Sequence, residues 1–147
     1  MYTVQPDEID WKIINALRES YQNNNAIARQ LGISEGTVRQ RLKRLKESGI
    51  VKIKALINPE VLENQQLAVV AVNVSESSLL VSKAKELAAL PNVLDVSITS
   101  GRYDIFVQVL VNSNHGLVRF LTEELSGVHG ISSTESFLML KSFNRFV

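Results

Sequence analysis

The stretch AIARQLGISEGTVRQRLKRLKESG, residues 26–49, decides how the first third of the chain is read. Ala26, Ile27, Leu31 and Ile33 are apolar, and Gly32 stands where a short helix must stop and turn. Ser34 then offers a hydroxyl to the free N–H groups of a new helix. Inside that second helix Val38, Leu42 and Leu45 recur at the spacing of one buried stripe. With Val38 at 0° and about 100° per residue, Gly36, Gln40 and Lys43 fall opposite the stripe, with Arg39 and Arg44 on its flanks. The outer face thus carries a hydrogen-bonding amide framed by cations, and a glycine near its N-terminal end that lets another surface approach closely. A helix lying in the major groove of duplex DNA needs side chains for base edges in the middle and positive charge for phosphate on both sides. Ser34, Gly36, Thr37, Arg39, Gln40, Arg41, Lys43 and Arg44 are the candidate contacts. An amphipathic helix with a solvated basic face would explain this helix alone. It does not explain a helix, a glycine turn and a capped helix in succession.

The charge distribution agrees. Residues 1–58 hold ten Lys or Arg and six Asp or Glu, a balance of +4, whereas residues 59–147 stand at −3. Arg39, Arg41, Lys43, Arg44 and Lys46 lie within eight positions. A basic head on an acidic remainder implies that only the head meets a polyanion. The 147 residues, 45% hydrophobic and 21% charged, fit one ordinary domain or two small ones. No run approaches the roughly 18 apolar residues of a membrane span, and MYTVQPDEID lacks the regions of a signal peptide. With no cysteine, the chain has no disulfide framework, zinc–thiolate site or thiol nucleophile. A cytoplasmic location is the expectation, and no cofactor is implied.

Working outward, Asp7 to Ser20 reads as an amphipathic helix with Ile9, Ile13, Ile14 and Leu17 on one side and Trp11 elsewhere on its surface. Gly49 ends the 34–48 helix. Residues 50–58 then alternate, Val51, Ile53 and Ala55 against Lys52 and Lys54, which predicts a half-exposed strand, the wing of a winged helix-turn-helix. The expected domains are 1–58 for this head, a connector at 59–66, and a second domain over 67–147.

The second domain reads as strand 66–74, helix 78–90 stopped by Pro91, strand 93–100, a tight turn at Gly101-Arg102, strand 103–111, helix 114–125 and strand 131–141. That order predicts a ferredoxin-like βαββαβ plan, and with the head an α+β chain. LAVVAVNV (67–74), DIFVQVLV (104–111) and FLML (137–140) are largely apolar on both faces. Two helices cover one face of such a sheet, so the other is expected to be covered by the sheet of a second subunit. A two-fold dimer also supplies a second DNA half-site.

These residues together resemble the leucine-responsive regulatory protein/AsnC (feast/famine) family of transcriptional regulators. In the head the resemblance rests on IDWKIINAL (9–17), AIARQLGIS (26–34), TVRQRLKRLKESGIV (37–51) and INPE (57–60). In the second half it rests on GRYD (101–104), similar to the family's Gly-x-Tyr-Asp turn, and HGISSTES (129–136), similar to its Gly-Val-x-x-Thr-x-Thr segment. It implies DNA binding through the head, dimers built on the second domain that often assemble into octamers or larger rings, and a small ligand, commonly an amino acid, bound where dimers meet. The matching effector positions are Ser100, Gly101, Arg102, Tyr103, Asp104, Ser133, Thr134 and Ser136. Asp104 suits an ammonium group, while turn N–H groups and the hydroxyls suit a carboxylate. A plain hairpin turn braced by Asp104 is the alternative. Ser136 stands where the family usually has threonine, and Arg102 adds a cation that either favours an acidic ligand or meets a neighbouring subunit's glutamate.

Two other functions fit this layout. Some relatives are haem-biosynthesis decarboxylases, but this chain has only His115 and His129, and no carboxylate pair, nucleophile with its base, or phosphate-cradling loop. The expectation is therefore no enzyme. A ligand-independent architectural DNA-binding protein would share the head and the dimer but not the response to amino acids.

Overall fold

Three helices form the head, and each starts at a side-chain cap. In the computed structural model, which describes residues 4–112 and 115–147, these are α1 (Glu8–Glu19), α2 (Asn24–Leu31) and α3 (Glu35–Glu47). Asp7, Asn23 and Ser34 accept hydrogen bonds from the backbone N–H groups of Asp10, Ala26 and Thr37, satisfying donors that a first turn leaves free. α2 stops at Gly32, whose φ of 65° disfavours any side chain. α3 is capped by Ser48, and Gly49 takes the left-handed position after it at φ 75°. The N–H groups of Gly49 and Ile50 close the helix on the carbonyls of Lys46 and Leu45 at 3.1 and 3.0 Å. Ile13, Ala16, Ile27, Ala28, Val38 and Leu42 form the head's core, ringed by Ile9, Leu17, Leu31 and Ile33.

The expected wing strand is not formed. Residues 51–58 carry no ladder, and Ile53, Leu56 and Ile57 are exposed. Alternation tells which side chains share a face, but a strand also needs a neighbour with free backbone groups. Val51 donates its N–H to the Leu45 carbonyl at the end of α3 at 3.1 Å, and Ile57 exchanges two backbone hydrogen bonds with Val147 at 2.9 and 3.0 Å. The chain divides into compact units Met1–Ala55 and Leu56–Val147, so that pair lies within the second unit.

The second unit is built on the strands β1 (Gln65–Val74), β2 (Val93–Ile98), β3 (Ile105–Asn112) and β4 (Ile131–Leu138). They form a four-stranded antiparallel sheet in the order β2-β3-β1-β4. With α4 (Leu80–Ala88) between β1 and β2, this is the βαββαβ order read from the sequence. Val70 and Val72 of β1, Val107 and Val109 of β3, Leu87 of α4, Phe120 and Leu125 make one core. The segment expected as a helix over 114–125 is three short pieces: α5 (Gly116–Arg119), a π turn (Phe120–Glu124) and a 3-10 turn (Leu125–Gly127). Asn114, its expected start, lies outside the described residues. At about 100° per residue a regular helix would set Phe120 and Leu125 on different sides. The wider turn lets both reach the core.

On the sheet's other face stand Val69 of β1 and Phe106 and Leu110 of β3, each partly exposed, and the exposed Phe137 of β4. Gln108 stands among them, its Oε1 buried with no hydrogen-bond partner among the described residues. Among the described residues no helix is long and apolar enough to cross a membrane.

Candidate nucleic-acid interface and effector site

The buried stripe of α3, Val38, Leu42 and Leu45, fixes which side chains face outward. Gln40 and Lys43 stand at the centre of that face and are exposed. Lys43 has only a loose 3.8 Å contact with Glu47. Ser34 and Thr37 are bonded hydroxyl to hydroxyl at 2.8 Å beside the N-terminus of α3. Arg39, on one flank, is held by Glu35 at 3.0 Å. Gly36 has room around it: a Cβ there would meet only Ser34 Oγ at 3.8 Å and Arg39 Nη2 at 3.9 Å. Nothing within the head requires glycine at that position.

The other flank is built differently, and the sequence reading missed its partners. Arg41 donates through Nη1 to Asp7 Oδ2 at 2.6 Å and to Asp10 Oδ1 at 2.9 Å. Arg44 donates through Nη2 to Asp10 Oδ2. Asp10 is wholly buried, and its Oδ2 also accepts the Asp7 N–H at 3.0 Å. Asp7 returns a cap through Oδ1 to the Asp10 N–H at 2.9 Å. The N-terminus of α1, where the helix dipole favours negative charge, thus holds two guanidinium groups of α3. The Arg41 hydrogen bond, followed by the Asp10 N–H, keeps the Asp7 carboxyl below the usual carboxylate range. Hydrogen bonds to Asp7 and then Asp10 hold Arg41 above its ordinary value. Because the folded value of Asp7 is depressed, its contribution to stability is present above about pH 4 and is lost as pH falls through that lower value.

The turn 99–104 is braced from three sides. Asp104 Oδ2 accepts the Val74 N–H at 2.9 Å, and the Asp104 N–H donates to Asn73 Oδ1 and to the Val72 carbonyl, both at 3.1 Å. The Thr99 hydroxyl donates to the Tyr103 carbonyl. Arg102 lies over its neighbour's ring, 5.5 Å from the Tyr103 centroid, and Tyr103 is tilted against Phe106 at 6.0 Å. Asn73, unremarked in the sequence reading, also donates to Ser133 Oγ at 3.1 Å. It joins the turn to β4, and a lone amide in the apolar run LAVVAVNV was the available signal. Ser133 therefore comes together with Asn73 and, through it, Asp104. Thr134 and Ser136 pair with Val72 and Val70, so they stand on the opposite face of the sheet from Ser133. Ser100 and Gly101 are exposed at the turn's tip. His115 and His129 are both exposed. No group of three or more His, Asp or Glu among the described residues is placed to hold a metal ion.

Comparison with known proteins places both units. Residues 6–52 match the winged helix-turn-helix DNA-binding family, and residues 67–146 match the Lrp/AsnC ligand binding domain. The chain is 40% identical over 135 residues to an uncharacterised HTH-type transcriptional regulator of Pyrococcus furiosus, covering 90% of each chain. E. coli AsnC superposes with a TM-score of 0.70 at 24% identity, covering 98% of this chain and 99% of that one. A transcriptional regulator from Neisseria meningitidis, solved as an L-Met complex, gives 0.71 at 24% identity over 97% and 94% of the two chains. With the sheet domain matched over more than half of its length and a regulator related along nearly all of it, the chain belongs to the Lrp/AsnC family of transcriptional regulators.

Proposed function

We propose that this protein is a sequence-specific DNA-binding regulator in the cytoplasm, acts without catalysis, and changes its assembly or DNA affinity when it binds an amino acid. The outer face of α3 carries the reading. Gln40 and Lys43 are exposed to meet base edges, Arg39 stands on one flank for phosphate, and Arg41 and Arg44 stand on the other, bonded to Asp7 and Asp10. Ser34, Gly36 and Thr37 complete the interface. In a duplex selected by the wild-type protein from a random-sequence library, Gln40→Ala removes a base-edge contact worth about 1–3 kcal/mol. Fluorescence anisotropy should therefore show it losing more affinity for the selected duplex than for a random one. Equal losses on both would remove Gln40 from the readout.

We place the effector at Ser100–Asp104 and Ser133, with Asn73 between them; Thr134 and Ser136, on the other face of β4, stand apart from it. The L-Met complex of the N. meningitidis regulator supports an amino acid as the ligand class. Thermal unfolding against the twenty amino acids tests this. A ligand at about 100 times its dissociation constant stabilises the native state by about 2.7 kcal/mol. No shift with any of them would favour ligand-independent architectural binding. The smallest stable species is proposed to be a homodimer, joined through the sheet face of Val69, Phe106, Leu110 and Phe137, with dimers assembling into an octamer or another higher oligomer. The unmatched Gln108 acceptor on that face supports a partner bearing a donor.

A further inference from the structure

Two carboxylates beside a DNA-reading helix should repel phosphate, yet Asp7 and Asp10 are built into the flank of α3. Asp7 is half-exposed and Asp10 wholly buried. A buried carboxylate that only stabilised the fold would be an inefficient device, because desolvation offsets much of the attraction in such pairs. What the cluster does achieve is geometric. Asp10 links Arg41 and Arg44, one turn of α3 apart, to the first turn of α1. It thereby sets how α3 lies against α1, and ties down two of the five clustered cations, Arg41 largely covered and Arg44 half-exposed.

We propose that Asp10, backed by Asp7, is the positioning residue for sequence discrimination: it holds the guanidinium groups of Arg41 and Arg44 away from indiscriminate phosphate contact and fixes α3 so that Gln40 and Lys43 decide which sequence is bound. This rests on the DNA-binding reading of α3. It carries a sign opposite to simple electrostatics. Removing a negative charge beside the DNA face should strengthen binding to any sequence, whereas here it blurs the choice among sequences.

The test uses the full chain and its Asp10→Asn variant, with the duplex selected by the wild-type protein and a random duplex of equal length. Binding is followed by anisotropy across a salt series. The expected result is a ratio of selected to random affinity reduced about tenfold, the size of one lost base discrimination. Binding to the random duplex is unchanged or tighter. The slope of log affinity against log salt grows by about one for each guanidinium that reaches a phosphate. An unchanged ratio overturns the proposal. Equal weakening on both duplexes with the same slope also overturns it, since that is the mark of a merely structural role.

Asp7→Asn keeps the fold in hand if Asp10→Asn does not, because asparagine caps a helix as well as aspartate and position 7 is exposed. It should move the ratio and the slope in the same directions by less. If Asp10→Asn fails to fold and Asp7→Asn leaves both unchanged, the proposal falls. A wild-type protein that enriches no sequence overturns the DNA reading, and this inference with it. A wild-type protein that does enrich one, beside variants that match it, overturns this inference alone.

Discussion

Phe106→Asp is expected to turn the proposed dimer into monomers while leaving both units folded. Phe106 sits mid-strand on β3, opposite Ala71 of β1 and Ser97 of β2, on the sheet face that the core helices do not cover. In an isologous interface one substitution appears twice. It removes two rings and buries two carboxylates, each at a cost of several kcal/mol. Since each 1.4 kcal/mol is a factor of ten, the dimer should weaken by about a thousandfold or more. The fold survives because the position is partly open in the single chain and its side chain is not part of the helix-side core. Sedimentation velocity at micromolar concentration and far-UV circular dichroism together read the outcome. A variant that sediments like wild type would exclude this face from the interface, and a monomeric wild type would exclude the dimer itself.

Phe120→Ala should do the reverse, destabilising the second unit and sparing the head. Phe120 is 1% exposed and packs with Leu87, Val107 and Leu125. Truncating a buried phenylalanine costs about 3–5 kcal/mol, a large share of the roughly 5–15 kcal/mol that holds a domain together. For a unit of this size that lowers the melting temperature by more than about 10 °C. Calorimetry should show the loss in the transition of the sheet unit, with that of the head in place, because the head's core contains none of these residues. A shift of only a degree or two would mean that the π turn relaxes to fill the space.

Much of this was legible because local rules and the global fold agree. The stripe Val38, Leu42 and Leu45 is buried as its spacing requires. The cap at Ser34 and the stop at Gly32 fall where short-range chemistry puts them, and the βαββαβ succession followed from the periodicities. What escaped depends on distance along the chain or on a missing neighbour. Asp10 and Arg41 are 31 positions apart, and no periodicity links them, so the cations of α3 read as uniformly outward. Val51, Ile53 and Ala55 alternate like a strand, but alternation does not supply the second strand. Asn73 was hidden inside an apolar run until the register set it beside Ser133 and the turn. The hydroxyls expected together in the effector site divide between the two faces of β4, Ser133 on one and Thr134 and Ser136 on the other, which a linear motif such as HGISSTES does not convey.

The open space at Gly36 has a consequence for anyone who would improve this protein by selection. Alanine there would fit without strain, and it would stabilise the head by about 0.4–1 kcal/mol. A library sorted by melting temperature should therefore enrich Gly36→Ala early and reproducibly. If α3 lies against DNA as proposed, the same methyl group would stand in the gap through which it approaches its target. Sorting for heat resistance and sorting for operator occupancy should then drive this one position toward different residues, and a ranking of variants by thermal robustness alone would place the working protein below its own impaired descendant.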